Sequence, residues 1–163
     1  MDKHTSLIVG VMGLGEGASK EECLRAFELG QLVAHNGWLM LTGGRDIGVM
    51  LAALKGAKDA EGTTIGILPG HSKAESSPYV DIPILTGMGE ARNVINILTS
   101  DVVVAYGMGA GTASEISFAI KKNKPLILLK PEANTSAFFS ELDDTIQIVD
   151  TPAQVISIIE KLH

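Results

Sequence analysis

Seven short apolar runs recur along the sequence: Leu7–Val11, Trp38–Thr42, Thr64–Leu68, Val80–Leu85, Val102–Tyr106, Leu126–Leu129 and Ile146–Val149. They are rich in Val, Ile and Leu and nearly continuous rather than alternating, which is how strands covered on both faces read. Helical patterns separate most of them, at Lys20–His35, Val49–Ala60, Glu90–Leu98, Ala113–Lys121 and Pro152–Leu162. In the first of these, Leu24, Phe27, Val33 and Ala34 recur near helical spacing, with Lys20, Glu21 and Arg25 elsewhere around the turn. His35-Asn36-Gly37 reads as a helix stop and Thr151-Pro152 as an N-cap followed by proline at the first helical position. Strand alternating with helix requires crossover connections, so the chain is predicted to be one doubly wound α/β domain with a mostly parallel sheet of about seven strands.

Composition agrees with one unit across residues 1–163. That length suits a single domain and buries roughly 70% of the unfolded chain's surface, enough to need no metal or disulfide staple. Cys23 is the sole cysteine, and no Cys/His pair has zinc-ligand spacing. No apolar run approaches a membrane span, and Met1–His4 passes into an apolar run without a small-residue cleavage site. A soluble cytoplasmic protein is expected. Thirteen Lys and Arg against nineteen Asp and Glu give a formal charge of −6. This balance disfavours nucleic acid, although a local backbone cradle can still hold a small anion.

The glycines concentrate where strands end and helices begin. Gly13, Gly15 and Gly17 follow the first apolar run, Gly43, Gly44 and Gly48 the second, Gly87 and Gly89 the fourth, and Gly107, Gly109 and Gly111 the fifth. In a parallel sheet these turns share the carboxyl edge, where ligands of this architecture bind. The expected site is a groove lined with amide donors and suited to phosphate or another oxyanion; tight βα turns alone would also explain the glycines. Gly13-Leu14-Gly15-Glu16-Gly17-Ala18 formally fits a dinucleotide fingerprint, but Leu41-Thr42-Gly43-Gly44 supplies no ribose-binding acid, and Glu16 sets a negative charge beside any pyrophosphate. NAD is disfavoured. No P-loop lysine motif and no nucleophile elbow occur.

Candidate chemistry centres on Gly107-Met108-Gly109-Ala110-Gly111-Thr112-Ala113-Ser114-Glu115. Thr112 can offer a hydroxyl and an amide to phosphate, and Glu115 is the one well-placed carboxylate; the same Thr-x-x-Glu spacing also describes a helix capping box, as does Ser19-Lys20-Glu21-Glu22. Arg92, in the first turn of a predicted helix, opposes the macrodipole and so points to an anionic partner, whether a ligand phosphate or Glu90, Glu115 or Asp101. Arg45 is a similar candidate with Asp46 as a neighbouring carboxylate. His71 reads as a solvated loop histidine at the same edge, Trp38 as core and Cys23 as helix packing, while His4, His35 and His163 need no function.

The order of these elements, with Gly43-Gly44-Arg45, the Arg92 helix and Gly109-x-Gly111-Thr112-x-x-Glu115, resembles the SLOG/LOG-like superfamily of Rossmann-type proteins, and within it the molybdenum cofactor carrier branch. The likeness runs from Ile8 to the final helix. It implies a Rossmann-like carrier that binds and protects molybdenum cofactor, a phosphate-bearing pterin, without turnover. It also implies a homo-oligomer (dimer or tetramer) with molybdoenzymes or cofactor-synthesis proteins as partners. The binding residues so implied are Gly13, Gly15, Gly43, Gly44, Arg45, Gly87, Arg92, Gly107, Gly109, Ala110, Gly111, Thr112 and Glu115, with the metal held by the pterin rather than by protein ligands. LONELY GUY-type members instead hydrolyse nucleoside 5′-monophosphates to release a cytokinin base; in that alternative Arg92 and Glu115 are catalytic. Their Pro-Gly-Gly-x-Gly-Thr-x-x-Glu motif is matched here only from Gly109 onward, Gly107 and Met108 replacing its first two residues. Their Met-x-x-Arg-Lys is broken as well, since Arg92 lies four residues after Met88 and Asn93 stands where lysine is usual.

Overall fold

The computed structural model describes residues 6–163; His4 lies outside them. Seven parallel strands form one sheet: β1 (Ile8–Gly13), β2 (Leu39–Thr42), β3 (Thr64–Leu68), β4 (Ile82–Leu85), β5 (Val102–Tyr106), β6 (Leu126–Leu129) and β7 (Gln147–Val149). Their order is β4-β3-β2-β1-β5-β6-β7. The chain winds outward from β1 in one direction, returns to β5 and winds outward in the other, so the strand order reverses between β1 and β5. That reversal opens a crevice at the carboxyl ends of these two strands.

Helices cover both faces. α1 (Lys20–His35), α2 (Gly48–Asp59) and α6 (Pro152–Leu162) pack on one, burying Leu29, Val33, Leu54 and Ile159 against Val9, Val11 and Val104. α3 (Asn93–Thr99), α4 (Ala110–Lys121) and α5 (Ala133–Leu142) pack on the other, where Ile97, Ile116 and Phe139 meet Val103, Ala105 and Leu128. The central strands β3 and β5 are buried at every position, as their unbroken apolar runs anticipate. Both predicted caps form. Ser19 Oγ accepts from the Glu22 amide at 3.1 Å and Glu22 Oε2 accepts from the Ser19 amide at 2.7 Å. Thr151 and Gln154 reciprocate in the same way ahead of Pro152.

The structure corrects several boundaries. β4 begins at Ile82, not Val80, because side chains replace the ladder there: Asp81 Oδ2 accepts from the Thr64 amide and Thr64 Oγ1 from the Asp81 amide, each at 2.9 Å. The predicted helix Glu90–Leu98 divides into a 3-10 turn at Gly89–Arg92 and α3. α4 starts at Ala110, three residues before the predicted Ala113, since extended Gly109 caps it and Gly111 enters its first turn. α5 has no counterpart among the predicted helices; its polar Asn134-Thr135-Ser136 start and single buried residue, Phe139, leave little periodic signal. Trp38 and Cys23 lie half-buried against the core.

Candidate functional site

A cleft of about 430 Å3 occupies the crevice between β1 and β5. Three connections build it. The β1–α1 loop supplies Gly13, Leu14, Gly15 and Glu16; the β5–α4 loop and first helical turn supply Gly109, Ala110, Gly111 and Thr112, with Glu115 one turn further; the turn into α3 supplies Glu90, Arg92 and Asn93. Arg45 and Ile47 enter from the β2–α2 connection, with Met50 from α2 and Pro69 from the end of β3.

The N-terminus of α4 has no side-chain cap. The amides of Ala110, Gly111 and Thr112 therefore lack intrahelical partners and face the cleft with the positive end of the helix dipole. Thr112 is the third residue of the helix, so Thr112 and Glu115 do not form the capping box that their spacing allows. Glu115 instead turns toward α3, where Oε1 accepts from Asn96 Nδ2 at 2.8 Å in a buried contact.

Arg92 is only 8% exposed, and its Nε has no hydrogen-bond partner. None of the ion pairs among the described residues includes it, and Asp101, one of its anticipated partners, accepts from the Ile8 amide instead. Burial holds the guanidinium below its ordinary pKa; the Glu115 charge opposes that shift, Arg45 adds to it and Glu90 opposes it. Arginine nevertheless stays protonated. Burial pushes the Glu115 carboxyl up to about 7, against the Asn96 hydrogen bond and the Arg92 charge. The cleft thus holds a buried cation without a carboxylate partner beside an uncapped helix end, an arrangement suited to an oxyanion.

The other anticipated glycines lie around this cleft rather than on its wall. Gly43 sits against the Arg92 guanidinium, and a side chain there would collide with it. Gly44, at φ +75°, meets Gly66 on β3. Gly87 packs under the His71 ring, and Gly107 lies against Glu22 and Leu14, beside the β6 end. Arg45 is exposed and pairs by backbone with Ser76 of the long polar loop, not with Asp46.

Sequence reasoning missed Asn96 and the apolar lining of Met12, Ile47, Met50 and Pro69. Asn96 carried a signal: it interrupts the apolar stretch Val94–Leu98 one helical turn after Arg92, where i,i+4 residues share a face. The methionines carried none, since their spacing is equally that of core.

The family model described as the SLOG cluster4 family matches residues 6–156. The molybdenum cofactor binding protein from the phototrophic bacterium Rippkaea orientalis is 47% identical, with a TM-score of 0.96 over 98% of each chain. The molybdenum cofactor carrier protein of Chlamydomonas reinhardtii is also 47% identical, with a TM-score of 0.92 over 96% of this chain and 98% of that one. An uncharacterized protein of Archaeoglobus fulgidus is 44% identical over 124 residues, 76% of this chain and 80% of the relative. With the model covering nearly its whole length, the chain belongs to the SLOG cluster4 family.

Proposed function

We propose that the protein binds molybdenum cofactor as cargo and carries it without turnover, holding the terminal phosphate on the Gly109–Thr112 amides with Arg92 as the buried charge partner. The observation that carries this reading is the unpaired Arg92 Nε in a side chain only 8% exposed, next to an uncapped helix end. A buried guanidinium left without an anion is costly, and a bound phosphate removes that cost. Met12, Leu14, Ile47, Met50 and Pro69 give the same cleft apolar surface against which a flat pterin can pack. In this reading the pterin's dithiolene, rather than the protein, ligates the molybdenum. The two cofactor-binding relatives, each 47% identical over almost the full chain, support carriage over phosphoribohydrolysis.

Gly13, Gly15 and Arg45 complete the proposed ligand wall, while Gly43, Gly44, Gly87 and Gly107 shape it from behind. Exposed Ile82, Ile84, Leu85 and Met88 along the β4 edge support a homo-oligomer. We place this single-domain carrier in the cytoplasm, between cofactor-synthesis proteins and molybdoenzymes. The test is retention of molybdenum through gel filtration after incubation with the cofactor, read by elemental analysis. Thr112→Asp, which sets a charge in the cradle, is expected to lose the metal; equal retention by this variant, or none by the native chain, refutes the assignment.

A further inference from the structure

Glu115 sits oddly in a site that captures an anion. Glu115 is among the residues that line the cleft, one turn beyond the Ala110–Thr112 amides, and it is 7% exposed. Among the described residues Asn96 Nδ2 is its hydrogen-bond donor, and none of the ion pairs includes it; the Arg92 charge acts on it from beyond ion-pair distance. The groups that share its surroundings come from every neighbouring element: Glu90, Arg92 and Asn93 from the turn into α3, Asn96 from α3, Arg45 from the β2–α2 connection, Glu16 from the β1–α1 loop and Thr112 from its own helix.

A carboxylate and an oxyanion in one small cleft repel each other. The neutral acid removes that repulsion and converts an acceptor-only group into a donor. The Asn96 bond survives the change, because the carbonyl oxygen of a protonated carboxyl still accepts it; Oε2 is then available to carry the proton. We propose that Glu115 enters the ligand complex as the neutral acid and donates its hydroxyl to an oxygen of the bound oxyanion, so that capture takes a proton from solution wherever the free carboxyl is ionised.

This deepens the phosphate-cradle reading and rests on its anion site, but not on what the rest of the ligand is. Burial already places the Glu115 carboxyl near 7, so the proton is available at neutral pH, and an incoming dianion raises it further. Binding therefore tightens as pH falls and weakens as pH rises.

Sulfate is the appropriate probe, since it keeps the same charge across the range and any pH dependence belongs to the protein. The full chain is titrated with sulfate by calorimetry from about pH 6 to about pH 8, in two buffers of different ionisation enthalpy. The expected result is a Kd about tenfold weaker at the upper end, with close to one proton taken up per sulfate there. Glu115→Gln keeps a donor but cannot ionise, and its sulfate affinity is expected not to follow pH. His71 sits in the loop after Pro69, outside the cleft wall, and His71→Gln is expected to keep the slope. The proposal is overturned by a flat profile in the native chain, by a slope that persists in Glu115→Gln, by a slope that disappears only in His71→Gln, or by no sulfate binding at any pH. Proton-coupled sulfate binding without molybdenum retention would remove the carrier reading and leave this inference. Molybdenum retention with sulfate binding that takes up no proton would do the reverse.

Discussion

Gly43 has no room for a side chain because the Arg92 guanidinium fills the space where its Cβ would stand. The two residues come from different connections, the turn after β2 and the turn into α3, so the missing side chain at 43 allows the charge at 92 to reach the cleft floor. Gly43→Ala should therefore act as a positional mutation of Arg92. The colliding atoms belong to the far end of a flexible side chain, so the fold should persist, with far-UV circular dichroism like that of the native chain. Hydrogen bonds to a charged group contribute about 1.5–3 kcal/mol, so displacing the guanidinium should weaken sulfate binding by about tenfold or more. An alanine variant that binds as tightly as the native chain would show that Arg92 does not depend on this approach.

Glu115 also ties stability to pH. Its carboxyl stands at about 7 in the folded protein, above the ordinary 4.5 of the unfolded chain. The folded state therefore holds more protons between these values. The contribution is fully present below the unfolded pKa and is lost as pH rises through the folded one. Its upper size is on the order of 3 kcal/mol. Glu115→Gln should melt at a temperature less dependent on pH from about pH 5 to pH 8, and above the native chain at the alkaline end. Carboxyl-carbon NMR should place the Glu115 titration near neutrality, and Asn96→Ala should move it upward, since the Asn96 hydrogen bond lowers it.

Ser19 offers a test of the fold alone. Its hydroxyl satisfies the Glu22 amide at 3.1 Å, and Glu22 returns a bond to the Ser19 amide at 2.7 Å. Ser19→Ala should cost about 1 kcal/mol in urea unfolding, with no effect on sulfate binding, since neither residue lines the cleft.

The strand runs and the caps at Ser19 and Thr151 were legible because each is a local pattern: burial on both faces writes continuous Val/Ile/Leu runs, and a cap needs only neighbours three residues apart. The carboxyl-edge position of the glycine turns was legible too, since parallel strands place every such turn on one side. Which turns meet was not legible. Gly87 and Gly13 read alike, yet Gly87 packs under His71 while Gly13 lines the cleft. The difference follows from strand order: β1 and β5 are neighbours at the reversal, and β4 lies at the sheet edge. Spacing likewise left Glu115 between a cap and a site residue. The helix starts at Ala110, and that three-residue shift removes the capping box.

Arg92 and Arg45 should separate by salt. Both line the cleft, but Arg92 is buried and Arg45 is exposed. A charge in water is screened beyond roughly 3 Å at about 1 M salt, whereas a buried one keeps its field. Arg45→Ala should weaken sulfate binding by less than about 1 kcal/mol at low ionic strength, and the difference should vanish in high sodium chloride. Arg92→Ala should cost at least about tenfold in affinity, with most of the loss persisting at high salt. Arg92→Lys should not restore it, because an ammonium lacks the planar fork that grips two oxygens at once. Calorimetric titrations of the three variants in low and high salt provide the measurement. Equal salt sensitivity of Arg92→Ala and Arg45→Ala would mean that the Arg92 charge is read through solvent and not from within the cleft.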